Sequence, residues 1–148
     1  MLFRSEVQRY ISRISGPMLD RMDIQIELPS LSFDELATDN TPTETSAVVR
    51  ERVIKARDFA KARMAGEHIL CNAQLDAAGI RKYCKIDEGA SQLLRMAYET
   101  MGLSARGYDR VMRVARTIAD LDGSETIRDM HVAEAIQLRS LDKKYWGA

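Results

Sequence analysis

The sequence predicts a mainly α-helical protein, and three observations point that way. From residue 44 to about residue 139, apolar residues recur at i, i+3, i+4 and i+7, the period of a helix with one buried face. Cap residues punctuate the pattern: Thr41, Asp87 and Ser104 precede helical runs, while Gly102 and Gly123 follow them. One segment alone, Ile24-Gln25-Ile26-Glu27-Leu28, alternates with the period of a strand, and Pro29 ends it. With 148 residues, 45% hydrophobic and 30% charged, the chain has a globular composition and enough length for a compact core.

The first element is a short turn in Ile14-Ser15-Gly16-Pro17-Met18-Leu19-Asp20-Arg21-Met22-Asp23. Pro17 suits a first helical position because its φ is already fixed there. Arg21 therefore falls at the end of the turn, just before the strand. A lone strand leaves its backbone N–H and C=O groups unpaired, so its partner strands are expected upstream of this chain. Ser30-Leu31-Ser32-Phe33-Asp34-Glu35 reads as an exposed turn or helix start, because its serines interrupt the apolar run that a doubly covered strand needs.

Thr41-Pro42-Thr43-Glu44 offers a capping box for the next helix, with Thr41 as N-cap and Pro42 at the first position. Val49, Val53, Ala56, Ala60 and Met64 form its apolar stripe, and Glu51 and Lys55 pair at i,i+4. Arg50, Arg52, Arg57, Lys61 and Arg63 give it a basic excess that suits either a solvated face or contact with nucleic acid or a neighbouring subunit. A loop around Gly66–Asn72 leads to a short helix over Asp76–Tyr83. Asp87 caps a third helix with Ala90, Leu93, Leu94, Ala97, Tyr98 and Met101 on one stripe; Gly102 supplies the left-handed stop. Ser104 caps a fourth helix, whose apolar face holds Tyr108, Val111, Met112, Ala115, Ile118 and Ala119. Arg106, Arg110 and Arg113 fall on the opposite face, projecting from a helix end that carries positive dipole charge. Such guanidinium forks match phosphate oxygens, although three solvated arginines are the simpler account of the same pattern. Gly123 stops this helix, and a fifth runs from about Asp129 to Arg139 with Val132, Ala135 and Ile136 inward and His131 exposed or capping. The end, Lys143-Lys144-Tyr145-Trp146-Gly147-Ala148, lacks a core pattern and is expected to fray.

Several function classes are disfavoured. The formal net charge of +0 gives no overall drive toward nucleic acid. No apolar run has the length of a membrane helix, and Met1-Leu2-Phe3-Arg4 does not open a signal peptide. Cys71 and Cys84 do not make a disulfide framework and fit a reducing cytoplasm. His68, Cys71, Cys84 and His131 lack the two close ligand pairs of a structural zinc site. Cys84 ends a helical pattern, where a small buried hydrophobe is the ordinary role. No metal site is expected.

Three blocks carry a family resemblance. The run Ile14–Ile24 resembles the arginine-finger region of AAA+ ATPases of the magnesium-chelatase branch, specifically of the ComM/YifB type. Gly102-Leu103-Ser104-Ala105-Arg106-Gly107-Tyr108-Asp109-Arg110-Val111, with Val114 to Leu121, resembles the sensor-2 helix of the same family. His131 to Arg139 resembles its last lid helix, and the resemblance runs from about Tyr10 to Leu141. It implies a helical AAA+ lid preceded by the last helix and strand of a truncated α/β ATPase core. Residues 1–28 would be the core remnant, 29–43 a linker, 44–141 the lid and 142–148 a tail. It further implies a homo-oligomeric ring, usually a hexamer, in which Arg21 acts in trans as arginine finger and Arg106 as sensor 2, with Arg110 a weaker phosphate ligand. ATP and Mg²⁺ would serve the full-length cytoplasmic parent. Its implied work is ATP-driven remodelling of DNA, such as branch migration in recombination; a magnesium-chelatase ATPase subunit is the rival within the class. The chain departs from the family in one respect: it contains no Gly-Lys dipeptide and hence no P-loop. This piece alone is therefore expected neither to hydrolyse ATP nor to hold it. From a different class, a stand-alone helical module binding protein or nucleic acid accounts for the missing P-loop but not for the orphan strand.

Overall fold

The computed structural model describes residues 44–139, together with Met18, residues 21–26 and 28–30, Ser32 and Phe33. The expectations for Asp34-Glu35, the Thr41–Thr43 capping box and the tail lie outside the described residues. Five α-helices follow one another among those described: α1 (Ser46–Arg63), α2 (Ala77–Tyr83), α3 (Glu88–Met101), α4 (Ala105–Leu121) and α5 (Asp129–Gln137), with a 3₁₀ turn at Asn72–Gln74.

The helix starts are set by short side chains that catch orphan amides. Asp76 accepts from the Gly79 N–H at 2.7 Å, Asp87 from Ala90 at 2.7 Å and Ser104 from Gly107 at 3.0 Å. Helix α1 begins later than the Thr41 box predicts: Thr45 is the N-cap, through Val48. Gly102 at φ 61° and Gly123 at φ 66° take the left-handed stops expected of them. His131 caps rather than faces solvent. It is 1% exposed, and its Nδ1 accepts the Arg128 backbone N–H at 3.0 Å.

Helix α4 is the centre of the bundle, packing against α5, α1, α2 and the 3₁₀ turn. Val111, Met112, Ala115 and Ala119 on α4 meet Leu75, Ile80, Leu94, Val132 and Ala135 in one core. Two loops pair beneath it. Ile86 and Ile127 form a parallel bridge, in which Ile127 N–H donates to the Lys85 carbonyl at 2.8 Å and Asp87 N–H to the Ile127 carbonyl at 3.1 Å. Since these loops lead into α3 and α5, the bridge sets the two helices side by side. No periodicity announces a bridge of one residue pair.

Two expectations are corrected. The stripe on α1 packs only in its second half: Ala56, Ala60 and Met64 are buried, but Val49 and Val53 are exposed along with Val48 and Ile54. Only the C-terminal half of this 18-residue helix lies against the core. The segment 24–28 is not a strand where it is described. Residues 24–26 and 28 have no regular secondary structure, and Ile24, Ile26 and Leu28 are exposed. One backbone bond from Gln25 N–H to the Leu138 carbonyl, at 2.8 Å, ties it to the end of α5. Alternation requires a ladder partner to become a strand, and none is among the described residues.

Met112→Ala should destabilise the chain by about 2–5 kcal/mol, since a 2%-exposed side chain leaves a cavity in a core packed on both sides. Arg106→Ala, on the exposed arc of the same helix, should change stability by about 0.5 kcal/mol or less. Thermal melts of the two variants check the helical phase, and equal losses would contradict it.

Candidate functional site

The three arginines of the α4 stripe have different surroundings. Arg106 stands exposed in the first turn, beside the positive end of the helix. Arg110, one turn on, is half-buried and forms an ion pair with Asp23. Arg113 donates through Nε to the Leu75 carbonyl at 2.8 Å, closing the turn before α2. Helical phase places all three on the side away from the core. It does not reveal that the polypeptide folds back over two of them.

Arg21 is exposed, in a turn closed by its N–H to the Met18 carbonyl at 3.1 Å. The residues after it lie on the bundle. Besides the Asp23–Arg110 pair and the Gln25–Leu138 bond, Arg139 donates through Nη1 to the Met22 carbonyl at 2.9 Å. Arg21 and Arg106 thus sit on two segments joined through the ion pair that Asp23 and Arg110 make one short step from each.

A second cluster escaped the sequence. Arg116 is 0% exposed and Asp120 4%. The Asp120 carboxylate accepts from Arg63 on α1 at 2.8 Å, from Asn72 Nδ2 at 2.7 Å and from Arg116 Nε at 3.1 Å. Arg116 also donates to the carbonyls of Ser124 and Glu125. Burial pulls the Arg116 guanidinium down from its ordinary value, and the Asp120 charge opposes that. Every charge here has a hydrogen-bonded partner, which marks a structural network rather than a vacant site. The signal was present: Arg116 follows Met112 by one turn, at the edge of the buried arc, with Asp120 one turn further. It also corrects the reading of Arg63 as a solvated basic residue of α1.

Cys84 is the C-cap of α2, and burial pushes its thiol up to about 11. Cys71 is half-buried on the 3₁₀ turn. No group of three residues able to hold a metal ion occurs among the described residues. Within them, no helix is long and apolar enough to cross a membrane.

Five helices packed around one central helix are the architecture expected of a helical lid domain. The family model described as magnesium chelatase, subunit ChlI C-terminal, matches residues 43–139, and the chain belongs to that family. A second, described as magnesium chelatase, subunit ChlI, matches residues 2–36. Among similar proteins, the competence protein ComM of Haemophilus influenzae is 41% identical over 136 residues, covering 92% of this chain and 26% of the relative. The protein YifB of Escherichia coli is 38% identical over 135 residues, 91% of this chain and 26% of the relative. An uncharacterized Mycobacterium bovis protein is 33% identical over 132 residues, 89% and 26% respectively. The chain spans about a quarter of the length of these relatives.

Asp120→Ala should cost about 3–5 kcal/mol, because it strands the buried Arg116 charge. Denaturant unfolding measures it, and a loss under 1 kcal/mol would remove the network from the stability account. Thiol labelling should separate the cysteines. At pH 8, on the order of one Cys84 thiol in a thousand is thiolate in the folded chain. An alkylating reagent should therefore modify Cys71 first, and Cys84 at a comparable rate only in denaturant.

Proposed function

We propose that this chain is the C-terminal part of an AAA+ ATPase of the ComM/YifB type, working in a homo-oligomeric ring, usually a hexamer. In this reading residues 1–28 complete the α/β core, 29–43 link it to the lid, 44–141 form the lid and 142–148 a tail. Arg21 is the arginine finger, acting in trans on ATP held by a neighbouring subunit, and Arg106 is the sensor-2 residue. The observation that carries the reading is the order of the two family matches, 2–36 then 43–139, with one candidate arginine in each.

The chemistry of these residues fits a polyphosphate. Arg21 and Arg106 are both exposed, and Arg106 adds its charge to a helix N-terminus where backbone dipoles already favour an anion. Phosphoryl transfer spreads charge over oxygens, and a guanidinium placed there stabilises that charge more than it stabilises the ground state. Mg-ATP supplies the phosphoryl group itself. This chain has no Gly-Lys dipeptide, so the phosphate cradle belongs to the rest of the ring. The parent's output is ATP-driven remodelling of DNA, as in branch migration, within the cytoplasm. The identities to ComM and YifB support that type over a magnesium-chelatase subunit.

Arg21→Ala in the full-length ATPase should leave nucleotide affinity unchanged and lower turnover by about 10³-fold or more. Mixing it with subunits inactivated in their own P-loop should restore part of the hydrolysis, since the two lesions then occupy different interfaces. Steady-state ATPase assays decide this. Normal turnover by the variant would end the finger assignment.

A further inference from the structure

We propose that Arg110 and Arg139 are positioning residues for Arg21, forming a clasp that holds the Arg21-bearing segment on the lid. The inference deepens the reading of Arg21 as a finger and rests on it. An arginine that acts across a subunit boundary must be placed closely, because a displacement of about 1 Å can cost on the order of 10²-fold in rate. Among the described residues of this chain, hydrophobic packing does not supply that placement. Ile24, Ile26 and Leu28, the apolar residues that follow Arg21, are 52%, 67% and 86% exposed.

Polar contacts hold the segment instead, and they involve residues 22, 23 and 25, immediately after Arg21. Arg139 donates to the Met22 carbonyl at 2.9 Å, Arg110 pairs with Asp23, and Gln25 N–H donates to the Leu138 carbonyl at 2.8 Å. All three partners belong to the lid: Arg110 to α4, and Leu138 and Arg139 to the residues that end α5. Arg139 is the anchor. Its side chain is almost fully enclosed, with the residue 1% exposed, and a buried guanidinium has few ways to shift without losing hydrogen bonds. The Arg110 side chain, 16% exposed, is screened less than an open surface pair. Arg110 also lies one turn from Arg106 on the same helix. A movement of α4 driven at Arg106 would therefore carry Arg21 with it, so the clasp links the lid to the finger through covalent helix and one ion pair.

The first test uses the 148-residue chain. Amide exchange at Gln25 should be slowed by about tenfold or more relative to a free peptide, and Arg139→Gln should abolish that protection while leaving the α4 amides protected. Unprotected Gln25 in the unsubstituted chain would overturn the clasp. The second test uses the full-length ATPase. Arg110→Ala should lower kcat by about 10- to 100-fold with the KM for ATP unchanged. Pairing Arg110→Asp with Asp23→Arg should restore much of that loss, and the unchanged KM separates positioning of Arg21 from a general structural defect. Full turnover by Arg110→Ala, where Arg21→Ala abolishes it, would overturn the positioning role and leave the finger standing. Full turnover by Arg21→Ala would overturn both, with Gln25 protection then reporting a contact that serves structure only.

Discussion

The fold depends on the Asp120 carboxylate. It gathers Arg63 from α1, Asn72 from the 3₁₀ turn and Arg116 from its own helix, while Arg116 reaches on to the carbonyls of Ser124 and Glu125. One buried charge thereby sets the position of α1 on α4 and fixes the loop that leads into α5. An apolar contact in its place would pack as well but would leave rotation and sliding of α1 less determined. Hydrogen bonds to a carboxylate have direction, and a buried charge left unpaired is costly, so alternative packings are penalised.

Around that centre the rest of the lid is built from small residues. Ala56, Ala60, Ala90, Ala97, Ala115, Ala119 and Ala135 are all buried, which lets five short helices approach closely. Small residues alone bury little surface each, and larger ones such as Leu75, Ile80, Leu94, Met112 and Ile127 fill the spaces between. The Ile86–Ile127 bridge adds the constraint that packing leaves open, because it fixes the entry of α3 against the entry of α5. Among the described residues, the bundle thus combines a polar pivot at Asp120 with a backbone bridge at Ile86 and Ile127.

The α4 stripe shows how the same residue type at helical spacing is put to different uses. Arg106 keeps the exposed end of the helix, Arg110 takes an acidic partner from a segment 87 positions away, and Arg113 closes a turn. Each outcome depends on what lies opposite, and for Arg110 the opposite group is Asp23. Proposed roles at phosphate therefore attach more naturally to the exposed Arg106 and Arg21 than to Arg110, which is half-buried against the Asp23-bearing segment.

Much of the lid was legible in the sequence. Period and caps located α2 to α5 to within a residue or two, because apolar spacing, Asp87, Ser104, Gly102 and Gly123 act within one or two helical turns. The candidate residues were legible as well, though only as positions: Arg21 at the end of a turn and Arg106 at the head of a helix. Three things were decided by the tertiary structure. The alternating run after Arg21 carries no regular secondary structure where it is described, since alternation marks a strand only when a ladder partner stands beside it. The first half of α1 remained uncovered, because a stripe says which face is apolar and not whether anything reaches it. Arg116, Asp120, His131 and Arg139 went inside. Charge alone places such residues at the surface, and only partners brought from distant parts of the chain, Arg63 and Met22 among them, make their burial favourable.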